Sequence, residues 1–226
     1  KAVDLSPQQA VAKINDPDCG WSYIDQAQFC KPLHDLVGLR KRIIKRPVLT
    51  TVEVLLKPIC GKLSTHLMTG YVHKPYPPVY EALAKLAGFD SSVIIRGVEG
   101  GITPALNKPA KYFEYHGLDG ALEEVNMTPA DLGIDQSQRC EPVPASVLRE
   151  IEGEDAVVDV EALAKVSAEA GLAALDGKAG PAQDCLRYSA AIMLKHLGKA
   201  DTLRAGADIA QKAIDAGIAL KRFEAF

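Results

Sequence analysis

Residues 96–104 read Arg-Gly-Val-Glu-Gly-Gly-Ile-Thr-Pro and follow the apolar run Val93-Ile94-Ile95. A Gly-rich loop that terminates a strand is a usual place for chemistry in an α/β protein. Glu99 is the loop's single acid, and no second carboxylate follows it. One carboxylate can meet a cation or a proton, but it is a poor magnesium site alone.

The second constellation is basic. Arg40, Lys41, Arg42, Lys45 and Arg46 place five cations in seven positions, with no acid between Asp35 and Glu53. Such a run reads as an anion site for a phosphate, a carboxylate or a nucleic-acid backbone, since guanidinium groups suit bidentate capture. It reads equally as a solvated helix face whose isoleucines point inward. The missing local acids tip the balance toward an anion site.

His73 lies in Val72-His73-Lys74-Pro75, just past a strand-like segment, where α/β sheets place ligands. The plainer reading is a turn histidine. The acids Glu150, Glu152, Glu154, Asp155, Asp159 and Glu161 fit a solvated loop and a helix start, and match no metal-ligand template. Histidines and cysteines do not cluster, so no metal site is expected. The chain has no G-x-S-x-G, no P-loop and no G-x-G-x-x-G, which disfavours nucleophile-elbow hydrolases, Walker ATPases and Rossmann dehydrogenases.

The elements that must position these residues follow from periodicity and caps. Ser6, Pro7 and Gln9 open a helix over residues 6–15 with a capping box. Residues 21–25 read as a strand and residues 26–43 as mostly helical. Residues 49–57 suit a helix or a buried extended segment, and residues 65–72 a strand. Pro77 opens a helix to Leu86, with Val79, Leu83 and Leu86 on one face, and Gly88 closes it. Residues 92–95 are the next strand. Strand, helix, strand implies a parallel pair with a crossover helix.

Residues 112–115 and 121–125 suggest a smaller antiparallel pair. Thr128 caps a short turn at residues 129–132. Residues 134–156 are polar and Pro-bearing, and read as an excursion over the surface. Three helices close the chain, with apolar stripes Val160-Leu163-Ala164-Ala168, Leu186-Ala190-Met193-Leu194-Leu197 and Leu203-Ala207-Ala210-Ile214-Ile218. The whole reads as one α/β domain over residues 1–226: a mainly parallel central sheet flanked by helices, with the C-terminal helices packed on it.

At 226 residues, 47% hydrophobic and 24% charged, the chain can bury one sizeable core. A net charge of -3 gives no global attraction to nucleic acid or anionic membrane. Five scattered cysteines fit free thiols in a reducing compartment. No apolar run reaches the ~20 residues that span a bilayer. No membrane partner and a cytoplasmic location are therefore expected. The first residue is not Met, which is expected of a processed chain or a fragment.

Taken in order, the segments resemble the anthranilate phosphoribosyltransferase family, also called glycosyltransferase family 3. Leu5-Ser6-Pro7-Gln8-Gln9-Ala10 is similar to the family's L-[ST]-P-E-Q-[AV] helix start. Leu33-His34-Asp35-Leu36 with Leu39-Arg40-Lys41 resembles the stretch holding the substrate-carboxylate arginine. Residues 127–133, Met-Thr-Pro-Ala-Asp-Leu-Gly, resemble its T-P-E-D-x-G segment. Gly180-Pro181 to Asp184, and Gly198-Lys199-Ala200-Asp201, resemble its G-P-x-x-D and G-x-A helices.

The resemblance implies an α/β domain of that family. It also implies transfer from phosphoribosyl pyrophosphate to anthranilate, as in tryptophan biosynthesis, with magnesium masking the diphosphate. Arg40 would contact the substrate carboxylate, and Lys41, Arg46, His73 and Glu99 would serve as anion and substrate contacts. The implied partner is a phosphorylated small molecule. Members commonly pair through their helical domain, which implies a homodimer.

The pattern also departs from the family. The chain starts where roughly the last two-thirds of a member would start, and the family's G-T-G-G-D-type diphosphate loop has no counterpart. The family's Asp-Glu magnesium pair falls, aligned on Gly97 and Gly100, on Ile102 and Thr103. At residues 45–50 the family's G-x-R-T-x-x-N stretch keeps Arg46 but has Thr50 for its Asn. Magnesium is then expected only with ligands from an upstream segment, and no catalytic residue is assigned. Some relatives without the pair are thought to bind nucleic acid, and their loop reads much like Gly97-Val98-Glu99-Gly100. Arg40, Lys41, Arg42, Lys45 and Arg46 would then form a phosphate-backbone surface on a non-catalytic relative.

Overall fold

A computed structural model describes residues 3–40, 42–43, 48–149 and 157–226. These fall into two compact units. One comprises Lys1–Ile95, Tyr112–Val125 and Lys221–Phe226, and the other Arg96–Lys111 and Asn126–Leu220.

The first unit opens with α1 (Pro7–Asn15), capped as expected by Ser6 and Gln9. Three single-turn helices follow: α2 (Gln26–Phe29), α3 (Lys31–His34) and α4 (Val37–Arg40). Cys30, in a non-helical conformation, breaks what the sequence suggested as one helical stretch. Helix α5 (Leu49–Glu53) comes next.

The expected strand at residues 21–25 does not form. Instead the Trp21 ring stacks on Phe223 at 5.2 Å and on Phe226 at 4.6 Å, and its indole N–H donates to the Arg222 carbonyl at 3.0 Å. These residues do have β propensity, but a strand needs a neighbouring strand. Here the aromatic finds its partners in the last residues of the chain.

The sheet has the order β1 (His66–Gly70), β2 (Ser91–Ile95), β3 (Ala110–His116), β4 (Glu123–Met127). β1 and β2 are parallel, joined by α6 (Pro77–Leu86), as the strand–helix–strand reading implied. β2 and β3 are antiparallel, so the β3–β4 hairpin segment belongs to this same sheet. The α/β class holds, while the sheet is mixed: its parallel pair is β1 with β2. A short connection through residues 96–109 suffices to return the chain in the opposite sense.

β2 is buried on both faces, which suits its Ser-Ser-Val-Ile-Ile sequence. Leu55, Tyr71, Tyr80, Ala84, Phe89, Ile94 and Tyr115 form the core on one face. Helix α6 buries Pro77, Tyr80 and Ala84, whereas Val79 and Leu86 of the expected stripe are exposed.

The second unit is mainly helical. Thr128 caps a 3₁₀ turn at Pro129–Leu132 through a capping box, and Gly133 leaves it with φ 71°. Residues 134–144 carry no regular helix or strand. A 3₁₀ turn and the two-residue strands β5 (Leu148–Arg149) and β6 (Val157–Val158) follow. Helices α7 (Val160–Leu175), α8 (Pro181–His196) and α9 (Leu203–Asp215) come next.

α8 packs on both α7 and α9. α8 and α9 approach closely at Gly206, where a Cβ would lie 2.9 Å from the Ala191 backbone. α8 buries Gln183, Tyr188, Ala191, Ile192 and His196, a face rotated from its apolar stripe. On α7, Val160, Ala164 and Ala168 are exposed. α9 keeps Leu203, Ala207 and Ile214 inside, as its stripe requires. Ile218 falls beyond Gly217 and opens α10 (Ile218–Glu224), half-exposed. Among the described residues no helix is long and apolar enough to cross a membrane.

Candidate functional site

The loop after β2 belongs to the second unit. It folds on itself through the Val98 N–H to the Thr103 carbonyl (2.9 Å) and the Gly101 N–H to the Val98 carbonyl (2.8 Å). Gly97 is needed for space: a Cβ there would meet the Gly101 carbonyl oxygen at 1.7 Å. Glu99 has φ 50°, the single positive φ of a non-glycine among the described residues. Left-handed backbone in a charged residue is a strained choice of the kind that clusters at binding sites. Pro104, Ala105 and Leu106 are buried and anchor the loop's far end.

A strap from the irregular segment holds this loop. The Leu106 N–H donates to the Arg139 carbonyl (2.9 Å), and the Asn107 amide donates to the Ser137 carbonyl (3.0 Å). The Arg139 guanidinium donates to Glu99 Oε1 (3.1 Å). Both side chains are well exposed, so this pair orients Glu99 more than it stabilises the fold. Thr103 Oγ1 and Ser189 Oγ of α8 share a hydrogen bond at 3.0 Å. Ile102 is 43% exposed.

Nearer the start of α8, the amide of Gln136 donates to Asp184 Oδ2, and the guanidinium of Arg187 donates to Asp184 Oδ1, each at 2.8 Å. Both members of that ion pair are largely buried. Tyr188, fully buried, has its phenol pushed well above the ordinary value by burial and then by the Asp131 carboxylate.

In the first unit the expected anion residues divide. Arg40 forms a partly buried ion pair with Glu53. Its charge is thus neutralised from 13 residues away, beyond the interval in which the sequence showed no acid. Arg42 is exposed. Lys41, Lys45 and Arg46 lie outside the described residues.

His73 is exposed beyond the C-terminal end of β1, with its carbonyl accepting from the Tyr76 N–H (3.1 Å) in a turn. Its ring sits 5.8 Å from that of Tyr76, itself 6.2 Å from Tyr80. Arg40, Arg42 and His73 belong to the unit of the sheet and Glu99 to the other, each with its own partners. The sequence singled out Glu99 but not Arg139, a lone cation in an irregular stretch without a motif. Asp184 was visible in the Gly180-Pro181 helix start, where an acid is also ordinary helix chemistry.

No protein-family model matches the chain. Among curated proteins it is 31% identical over 219 residues to anthranilate phosphoribosyltransferase of Sphingopyxis alaskensis, covering 96% of this chain and 59% of that one. It is 28% identical over 218 residues to the enzyme of the same name from Novosphingobium aromaticivorans, again covering 96% and 59%. Among solved structures, anthranilate phosphoribosyltransferase from Saccharomyces cerevisiae in complex with PRPP and Mg matches with a TM-score of 0.71 at 17% identity. That match covers 99% of this chain and 58% of the yeast one. The chain spans less than two thirds of the length of the curated relatives it matches. Near-complete alignment of its own residues to those relatives, on the same fold, supports the anthranilate phosphoribosyltransferase family for this chain, over less than two thirds of a member's length.

Proposed function

We propose that this protein is an anthranilate phosphoribosyltransferase-like protein that takes a phosphorylated small molecule, and that these 226 residues alone do not carry out magnesium-dependent transfer from phosphoribosyl pyrophosphate. The observation that carries this reading is the loop at residues 96–104. Its one carboxylate, Glu99, is engaged by Arg139, Ile102 is apolar, and the Thr103 hydroxyl is bonded to Ser189. Mg²⁺ prefers near-octahedral oxygen ligation, usually with one or two carboxylates. The donors of this loop do not fit it.

The family resemblance and the yeast structure, whose complex is with PRPP and Mg, support this choice of ligand class. Arg40 is the candidate contact for a substrate carboxylate. Its pairing with Glu53 means that an incoming carboxylate must compete for the guanidinium. The alternative, a nucleic-acid surface, gains nothing from an Arg40 already neutralised in this way.

The test is an assay of the purified chain with phosphoribosyl pyrophosphate, anthranilate and Mg²⁺. The fluorescence of phosphoribosylanthranilate is the readout. The expected result is no product above the protein-free control. Sustained turnover that stops on chelating Mg²⁺ would overturn the reading.

A further inference from the structure

At the N-terminal end of β1 a polar cluster lies within the unit of the sheet, away from the loop at residues 96–104. His66 and Ser91 are paired across β1 and β2, so their side chains share one face of the sheet. His66 Nδ1 lies 2.6 Å from Ser91 Oγ, and His66 Nε2 lies 2.8 Å from Ser64 Oγ. Ser91 is buried, whereas His66 and Ser64 are exposed. A hydroxyl, an imidazole and a third group that orients the ring are the parts of an activated nucleophile, and both distances lie in the range it requires.

The turn that carries Ser64 is fixed on both sides. The Gly61 N–H donates to Thr65 Oγ1 at 2.9 Å, and a Cβ on Gly61 would overlap the Ser64 carbonyl. The Thr65 N–H donates to Asp90 Oδ2 at 2.7 Å, and the Asp90 N–H donates back to the Thr65 carbonyl at 2.9 Å. These bonds set Ser64 against the ring before any substrate arrives. Leu63 beside it is 99% exposed, so the site is open and offers one apolar side chain to a small acyl group.

We propose that Ser64 is a nucleophile that takes the acyl group of a small activated carboxylic ester and passes it to water, with His66 as its base and Ser91 positioning the ring. In the tautomer this requires, Nδ1–H donates to Ser91 Oγ and Nε2 accepts from the Ser64 hydroxyl. As Ser64 Oγ bonds to the ester carbonyl carbon, its proton passes to His66 Nε2. The carbon–oxygen bond to the leaving alcohol then breaks, and that alcohol takes the proton from Nε2. The acyl group stays on Ser64. Nε2 next takes a proton from water, whose oxygen attacks the acyl carbon. Ser64 Oγ leaves with that proton, and the free acid departs. One ester and one water give one acid and one alcohol. Ser91 is uncharged, so it orients the imidazole without the stabilisation a carboxylate would give the imidazolium, and turnover is slow.

The cluster shares no residue with the proposed transferase site, so its test stands apart from the transferase assay. The full chain is incubated with p-nitrophenyl acetate and, separately, with a fluorophosphonate whose adduct is mapped by peptide mass spectrometry. Release of p-nitrophenolate should run past one equivalent per chain, and the fluorophosphonate should mark Ser64. Ser64→Ala should reduce ester hydrolysis to the level of the fluorophosphonate-blocked chain. His66→Gln should slow the labelling of Ser64 about 100-fold, the scale of a lost general base. Ser91→Ala should slow it less, and Ser91→Thr, which keeps a hydroxyl there, should recover the rate. A Ser91→Thr chain as slow as Ser91→Ala would remove Ser91 from the site. Ser64 left unlabelled in excess probe, equal labelling rates in His66→Gln and the unaltered chain, or hydrolysis undiminished in Ser64→Ala would overturn the proposal.

Discussion

Two residues of the strand-end loop strain the chain in different ways, and substitution separates them. At Gly97 the obstacle is contact, because the backbone has an ordinary φ of -79° and the added Cβ would overlap the Gly101 carbonyl. Gly97→Ala should destabilise the protein by roughly 2 kcal/mol or more, the scale of overpacking against a fixed backbone. At Glu99 the obstacle is φ 50°. A left-handed residue with a Cβ costs about 1–2 kcal/mol, and glycine's greater freedom in the unfolded chain takes back about 0.5–1. Glu99→Gly should therefore be neutral or stabilise by up to ~1 kcal/mol, despite losing the exposed Arg139 pair. The shift in urea midpoint at constant slope measures both, and a stabilised Gly97→Ala would contradict the geometry.

At the scale of the element, helix α6 is the instructive case. Its boundaries, Pro77 to Leu86, follow from a proline at the first turn and a glycine beyond the end, and those are local signals. Its orientation is not local. Val79, Leu83 and Leu86 make an apolar stripe, but Tyr80 and Ala84 are the residues pressed into the core, with Ala84 small enough to let the helix come close to β2. Leu86, 84% exposed, should accept Lys with a change within about 0.5 kcal/mol. Ala84→Leu should cost about 1–3 kcal/mol, since no room remains for the added atoms. Equal effects of the two substitutions in chemical denaturation would mean that the sequence stripe faces the core after all. α7 and α8 differ from their stripes for the same reason: an Ala-rich helix offers several faces of similar hydropathy, and the neighbouring element selects one.

At the scale of the whole molecule, buried phenols make stability fall at high pH. Tyr115 is pushed up to about 12 by burial first, then by the Glu81 and Asp90 carboxylates, and it donates its hydroxyl to the Phe89 carbonyl at 3.0 Å. Tyr112 and Tyr188 are also raised, chiefly by burial. An unfolded tyrosine loses its proton near pH 10, whereas the folded one keeps it, so between pH 10 and 12 the unfolded chain binds fewer protons. Stability is then complete below pH 10 and declines as pH rises toward 12, by roughly 2–3 kcal/mol for Tyr115 alone. Denaturant titrations at pH 9 and pH 11 should show the loss. Tyr115→Phe should flatten part of that slope, and an unchanged slope would remove Tyr115 from the account.

By itself the sequence determined the capping boxes of α1 and the Thr128 turn, the ends of α6, the parallel β1–β2 pair and the family resemblance. Each is written in residues close together in the chain or in their order along it. Only the tertiary structure decided which helix faces are buried, that Trp21 meets the chain's last residues instead of a strand, and which partners the charged site residues take. Arg40 finds Glu53 thirteen residues on, and Glu99 finds Arg139 forty residues on. Ion pairing of this kind depends on distance in space, which a one-dimensional charge pattern does not contain.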